Sequence, residues 1–316
     1  MAEGAPLLRE YRVYSPIEGS NPSFSANFSL SDPSLVNYCL SILVQQKEII
    51  SVPTKKIQIQ YDEMDDFSVE HKIFEGKEKR VYVSGQGPAV IVMAEMPGIY
   101  EYVARFARYV REAGFRVYMP DLFGIAGKPP ETMDFVKTFA KTCISREFRA
   151  FASNKSSPVV DWLRALARSA YAESGGRGVG AIGMCFTGNF AFNLMLEPSV
   201  LAPVMCQPSL PIGKAGGMHI ENSELKCIKE RLDQEDLSVL AYRFEGDRLC
   251  KRERFSDYEK ALGDRFVAKV LPDEAARKGT GMSPHSVVTM HLVDEEGEPT
   301  KEAMNEILDF FKHRLL

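Results

Sequence analysis

The chain has 316 residues, 45% hydrophobic and 26% charged, with 39 basic against 43 acidic side chains and a net charge of −4. This is the composition of a globular protein with a real core, and it excludes disorder, a collagen-like repeat and a disulfide scaffold. The longest purely apolar run, Ala89–Ala94, is far short of the roughly 20 residues that span a bilayer, and the start Met-Ala-Glu-Gly-Ala-Pro has no signal-peptide pattern, so neither a membrane nor a secretory route is expected and a cytoplasmic location is the default.

Residues 15–34 are rich in Ser, Asn and Pro and read as irregular chain. Leu35–Val44 is apolar enough to form a short buried helix, and 55–60 alternates like a strand. From about residue 66 the pattern becomes regular. Val69–Phe74 and Arg80–Val83 read as early strands, and Ala89–Ala94 as a strand buried on both faces. Tyr100–Ala113 follows with Val103, Phe106, Ala107 and Val110 at helical spacing and Gly114 as a C-terminal cap. Further strands are expected at Phe115–Met119, Val179–Met184, Leu237–Phe244 and Phe266–Leu271. Helices are expected at 131–150, Val159–Ala172, Thr187–Leu196 and from Pro299 to the end. Strand and helix alternate, which predicts an α/β fold: a mostly parallel sheet with helices on both faces. Residues 1–65 are expected to be an extension packed on a core formed by 66–316.

Six cysteines lie far apart, with no CxxC pair and no close Cys/His set, so no metal site is expected. Lys77–Arg80 is interrupted by Glu78, and no basic block suggests a nucleic-acid partner. Gly178, Gly180 and Gly183 satisfy GxGxxG, but that fingerprint needs a strand-to-helix turn, whereas here it lies inside a strand. No dinucleotide or other cofactor is expected. Immediately after that strand stands Gly183-Met-Cys-Phe-Thr-Gly188. A nucleophile on a sharp strand-to-helix turn is the nucleophile elbow of α/β-hydrolases, and a helix N-terminus favours a thiolate there. The other use of such a cysteine is as a small buried filler.

In that fold the nucleophile, acid and histidine follow in chain order. Of five histidines, His71 and His219 come too early and His313 sits near a helix C-terminus, where a cation is favourable anyway. His285, in the loop Gly281-Met-Ser-Pro-His, occupies the expected place, while His291 falls in an alternating segment and reads as structural. Asp247, in Phe244-Glu-Gly-Asp, is the candidate acid, with Glu245 as the alternative.

Cys185 in Ile-Gly-Met-Cys-Phe-Thr-Gly, Gly246-Asp247, His285-Ser286, Glu95-Met-Pro-Gly98 and Pro120-Asp-Leu-Phe-Gly124 together resemble the dienelactone hydrolase family over residues 66–316. The resemblance implies an α/β-hydrolase fold, a Cys185-Asp247-His285 triad and a small-molecule ester or lactone as substrate. It implies that Glu95 lies beside the cysteine and takes part in its activation; a structural hydrogen bond to the loop is the other reading. It also implies an oxyanion hole from the backbone N–H groups of Met96 and Phe186, since Pro97 has none to give. Thr187 departs from the family's commoner Gly-Gly after the nucleophile. Arg146 is a candidate partner for a substrate carboxylate, although surface salt-bridging would equally explain it. An acyltransferase or thioesterase on the same triad, or a non-catalytic ligand-binding relative, are the alternatives to an ester hydrolase, and a homo-oligomer is compatible with each.

Overall fold

The computed structural model describes residues 58–130, 138, 141–142, 145–148 and 153–316. The expected helix at 35–44 lies outside the described residues, and most of the expected helix at 131–150 does as well. Of the expected strand at 55–60, residues 58–60 have no regular structure.

Eight strands form one sheet: β1 (Ser68–Phe74), β2 (Lys77–Ser84), β3 (Ala89–Met93), β4 (Arg116–Pro120), β5 (Val179–Met184), β6 (Val200–Cys206), β7 (Val239–Phe244) and β8 (Phe266–Leu271). Their order across the sheet is β1-β2-β4-β3-β5-β6-β7-β8. β2 pairs antiparallel with both of its neighbours, and every pair from β4 to β8 is parallel. The helices are α1 (Glu101–Glu112), α2 (Val159–Ser174), α3 (Gly188–Asn193), α4 (Asn222–Gln234), α5 (Arg252–Leu262) and α6 (Pro299–Leu315).

Side chains alternate across a strand, so the continuous apolar run of β3 feeds two cores at once. Ile91 and Met93 join Trp162 and Leu163 of α2, Ile228 and Leu232 of α4, and Phe255 and Tyr258 of α5 on one face. Val90 and Val92 join Val103, Phe106 and Val110 of α1 and Met304, Ile307 and Phe311 of α6 on the other. Helices on both faces of a mostly parallel sheet confirm the expected α/β class.

Three elements were not legible as such. β6 contains Pro203 in the middle of a central strand, where a missing N–H normally forbids a strand. Its ladder with β5 has a register shift before the proline, where Val179 pairs with Val200 but Gly180 with Ala202, and Pro203 itself then pairs with Ala181. α4 buries only Ile228 and Leu232, and the buried face of α5 includes Arg254. Neither helix has the broad apolar stripe from which a sequence is read.

The register sets where chemistry can occur. Met93 pairs with Gly183 and Met184 with Cys206, which brings the carboxyl ends of β3, β5 and β6 side by side. In open α/β sheets ligands bind at these carboxyl ends.

Candidate active site

Cys185 is the first residue past β5, and its backbone takes φ +53°, a conformation that L-residues adopt only when the surroundings enforce it. The enforcement is close packing. A Cβ on Gly183 would stand 2.1 Å from the Thr187 carbonyl oxygen, and one on Gly188 would stand 2.8 Å from Pro208 Cα. Only glycine lets the turn close and the helix pass so near the end of β6. Thr187 adds a function that a glycine would lack. Its Oγ1 accepts the Met184 N–H at 2.9 Å and donates to the Met93 carbonyl at 2.9 Å, tying the elbow to the end of β3.

The partners come from farther along the chain. β7 ends in a turn that buries Asp247 and leaves Glu245 exposed. Asp247 Oδ1 accepts the N–H groups of Leu249 (2.8 Å) and Cys250 (2.9 Å), and Oδ2 lies 2.7 Å from His285 Nδ1. With a carboxylate opposite it, Nδ1 carries the proton. Nε2 then remains, buried and with no hydrogen-bond partner among the described residues, in the neighbourhood of the Cys185 thiol. Burial opposes a charge on this imidazole, but Asp247 and Cys185 outweigh it and hold the ring well above its ordinary value.

His291 lies in a turn, not in the strand its alternating neighbours suggest. Its Nδ1 accepts the N–H of Ser286 at 3.1 Å and faces that of His285 at 3.4 Å, while Nε2 meets Thr280 Oγ1 at 3.1 Å. A ring that accepts at Nδ1 must be neutral, and burial first, then the nearby His285, pushes it down to about 4. His291 shapes the loop that carries His285. His71 pairs with Glu78 at the surface, and His219 is buried against Ser157.

Glu95, two residues beyond β3, is 2% exposed. Tyr100 donates to Oε1 at 2.5 Å, as does Thr289, while Ser286 donates to Oε2 at 2.6 Å and Gln207 at 3.3 Å. Four converging donors are what a buried carboxylate needs, and they occupy its acceptor sites. None of its hydrogen bonds goes to Cys185. The family's placement of this glutamate on the thiol is therefore not what the hydrogen bonding shows; the loop-binding reading describes it.

Phe186 follows Cys185 within the elbow and Met96 follows the end of β3, and among the described residues neither backbone N–H is given to an acceptor. The loop carrying Met96 is held against the 120–124 loop by glycines on both. A Cβ on Gly98 would lie 2.3 Å from the Phe123 carbonyl oxygen, and one on Gly124 would lie 2.1 Å from that of Pro97. The two motifs Glu95–Gly98 and Pro120–Gly124 are thus one structural unit. Beside them lies a cavity of about 500 Å³ bounded by Pro97, Leu122, Phe123, Thr142, Glu147 and Phe148, among others. Its walls do not include Cys185 or His285, but Phe123 and Phe148 pack edge-on against Phe186, next to the thiol. Arg146 is exposed on the neighbouring turn and is not part of the cavity wall.

Sequence reasoning missed Gln207, Ser209, Tyr100 and Thr289. The first two follow β6, and a loop at the carboxyl end of an unread strand is not read either. Among the described residues no cluster suited to a metal ion occurs, and no helix is long and apolar enough to cross a membrane.

A candidate dienelactone hydrolase from Klebsiella pneumoniae superposes with a TM-score of 0.53 at 16% identity, over 78% of this chain and 98% of that one. A dienelactone hydrolase from Anabaena variabilis does so with 0.51 at 11% identity, over 79% and 98%. At such identities the likeness concerns the fold, which is that of the α/β-hydrolases. No curated protein matches the sequence significantly. Residues 77–232, from β2 into α4 and including the elbow, match the dienelactone hydrolase family, and over that span the chain is similar to this family of hydrolases.

Proposed function

We propose that this protein hydrolyses small esters or lactones with Cys185 as nucleophile. The observation that carries the reading is the buried His285–Asp247 pair at 2.7 Å, whose Nε2, given to no other partner among the described residues, neighbours a cysteine on a strained elbow. The thiol proton passes to Nε2, and Sγ attacks the carbonyl carbon. The resulting oxyanion is held by the Met96 and Phe186 N–H groups, neither of which has an acceptor among the described residues. Collapse expels the alkoxide, which takes the proton from His285 and leaves a thioester. A water molecule then gives a proton to His285 and attacks that thioester, releasing the acid and restoring the thiol. Asp247 orients the ring and stabilises its charge. Glu95 acts as a positioning residue, because its hydrogen bonds join the Met96 loop to the His285 loop. Arg146, exposed as it is, has a role only if a substrate carboxylate reaches the surface of the turn.

The test is turnover of a chromogenic aryl ester. Cys185→Ala is expected to abolish it without lowering the melting temperature, and Cys185→Ser to retain little, since a hydroxyl is the weaker nucleophile in a site arranged for a thiolate. Wild-type turnover by the alanine variant would remove Cys185 from the mechanism. Alkylation must be read on the Cys185 peptide, because Cys227 is exposed and Cys185 only half-buried.

A further inference from the structure

Ser209 touches the nucleophile. Its hydroxyl lies 3.4 Å from Cys185 Sγ with donor geometry, and its backbone N–H donates to the Cys185 carbonyl at 3.0 Å. Two contacts to one residue, from a loop 24 positions later, require the loop to be fixed from behind, and it is. Gln207 N–H donates to the Tyr242 carbonyl of β7 at 2.7 Å. Leu210 N–H donates to Asn189 Oδ1 at 3.0 Å, and Asn189 is itself held by the Tyr258 hydroxyl of α5 at 2.9 Å. The buried Arg254 guanidinium, which has no carboxylate partner among the described residues, donates instead to the carbonyls of Leu210, Pro211, Lys214 and Gly217. A whole buried cation serves to hold the chain just after Ser209.

The hydroxyl has a second acceptor, the Gln207 carbonyl at 3.0 Å, and only one proton to give. A thiol is a poor acceptor and a thiolate a good one, so the preferred acceptor changes with the state of the sulfur. We propose that Ser209 is a catalytic residue that stabilises the Cys185 thiolate: its hydroxyl proton rests on the Gln207 carbonyl while the sulfur is protonated and turns to Sγ when His285 takes the thiol proton. The sulfur is then held from two sides, by the imidazolium and by a neutral donor, with no part for Glu95. This rests on the reading of Cys185 as the nucleophile. The titratable groups around the sulfur are His285 with its partner Asp247, and Cys250 just before α5, a thiol that burial and Asp247 keep protonated. Ser209 does not titrate, so a variant here changes the stability of the thiolate without adding or removing a titrating group.

The experiment is the pH dependence of iodoacetamide alkylation on the Cys185 peptide, followed by mass spectrometry of the full chain, alongside ester turnover and thermal unfolding. Ser209→Ala is expected to move the alkylation profile up by about one pH unit, which is about tenfold in rate on its sloping limb, and to lower kcat by a similar factor. Ser209→Thr, which keeps the hydroxyl, is expected to follow the wild type. Should the alanine variant unfold, Ser209→Thr and Ser209→Val give the same comparison at matched shape, the valine alone being shifted. A Ser209→Ala profile that coincides with the wild type overturns the proposal, and so does an equal shift in the threonine and hydroxyl-free variants. Alkylation reports the thiolate and not the reaction, so an inert ester with a shifted profile would count against the hydrolase reading and leave this one standing.

Discussion

Two histidines six residues apart carry opposite electrostatics, and the difference lies in what faces each ring. His285 faces Asp247 and a thiol, and is held above its ordinary value of 6.5. Its contribution to stability is complete below pH 6.5 and is lost as the pH rises through its folded-state value. His291 faces two backbone N–H groups and is pushed down to about 4. The unfolded chain then binds the extra proton between pH 6.5 and 4, so its contribution is present above 6.5 and lost as the pH falls to about 4. Over that window the loss from a shift of this size is about 3 kcal/mol. Denaturant unfolding at pH 7, 5.5 and 4 should therefore show the gap between wild type and His291→Asn narrowing as the pH falls. A constant gap would mean that the ring is not held neutral. At this scale the sequence is legible by order: Cys185, Asp247 and His285 could be sought one after another, and Asp247 could be preferred to Glu245 by its place in the turn. It is not legible by contact. Nothing in the letters around Glu95 says that Tyr100, Gln207, Ser286 and Thr289 converge on it, because three of those four lie more than 100 positions away.

The elbow is an element whose parts depend on one another. Thr187 stands where small residues are commoner in the resembling family, and its hydroxyl occupies the gap between β5 and β3. Thr187→Val keeps the shape and removes both hydrogen bonds, leaving the buried Met184 N–H unsatisfied. The expected cost is about 1–3 kcal/mol. Because the lost bond to Met93 also locates the Met96 loop, kcat should fall with little change in KM for the ester. Melting temperature and steady-state kinetics on the same preparation separate the two effects; a variant that is less stable but equally active would show that the hydroxyl does not locate the Met96 loop. Strand β6 illustrates the opposite limit of sequence reading. Its proline argues against a central strand, yet Pro203 pairs in register with Ala181 just past an irregular step in the ladder, and local pattern cannot reveal that pairing. The cost of that omission was the loop with Gln207 and Ser209, the part of the site least visible beforehand.

Across the whole molecule, the site is assembled from the ends of β3, β5, β6 and β7 and the loop after β8, so its geometry depends on everything that fixes the sheet. One such fixture precedes β1. Met64 and Phe67 are buried in the core beneath α1, and the Arg108 and Arg111 guanidinium groups lie over the Phe67 ring. Arg108 donates to both oxygens of Asp62 (2.6 and 2.8 Å) and of Asp66 (2.9 and 2.8 Å), and Arg111 to Asp66 at 2.6 Å. Hydrogen bonds from Arg108 hold both aspartates below their ordinary range, against the cost of burial. A boundary drawn at residue 65 therefore cuts through a packed segment. Two deletions test this, one removing residues 1–57 and the other 1–67. The second additionally loses two buried side chains worth about 1.5–3 kcal/mol each, together with half of a partly exposed ion network whose contribution is small. For a chain of this size about 4 kcal/mol is about 7 °C. The 1–67 deletion is expected to melt lower than the 1–57 deletion by that amount, and to lose ester turnover at temperatures where the other keeps it. Because the aspartates are held ionised only above their lowered values, the difference should shrink as the pH falls below about 4. Equal melting temperatures for the two deletions would show that α1 and β2 need no support from the residues before them.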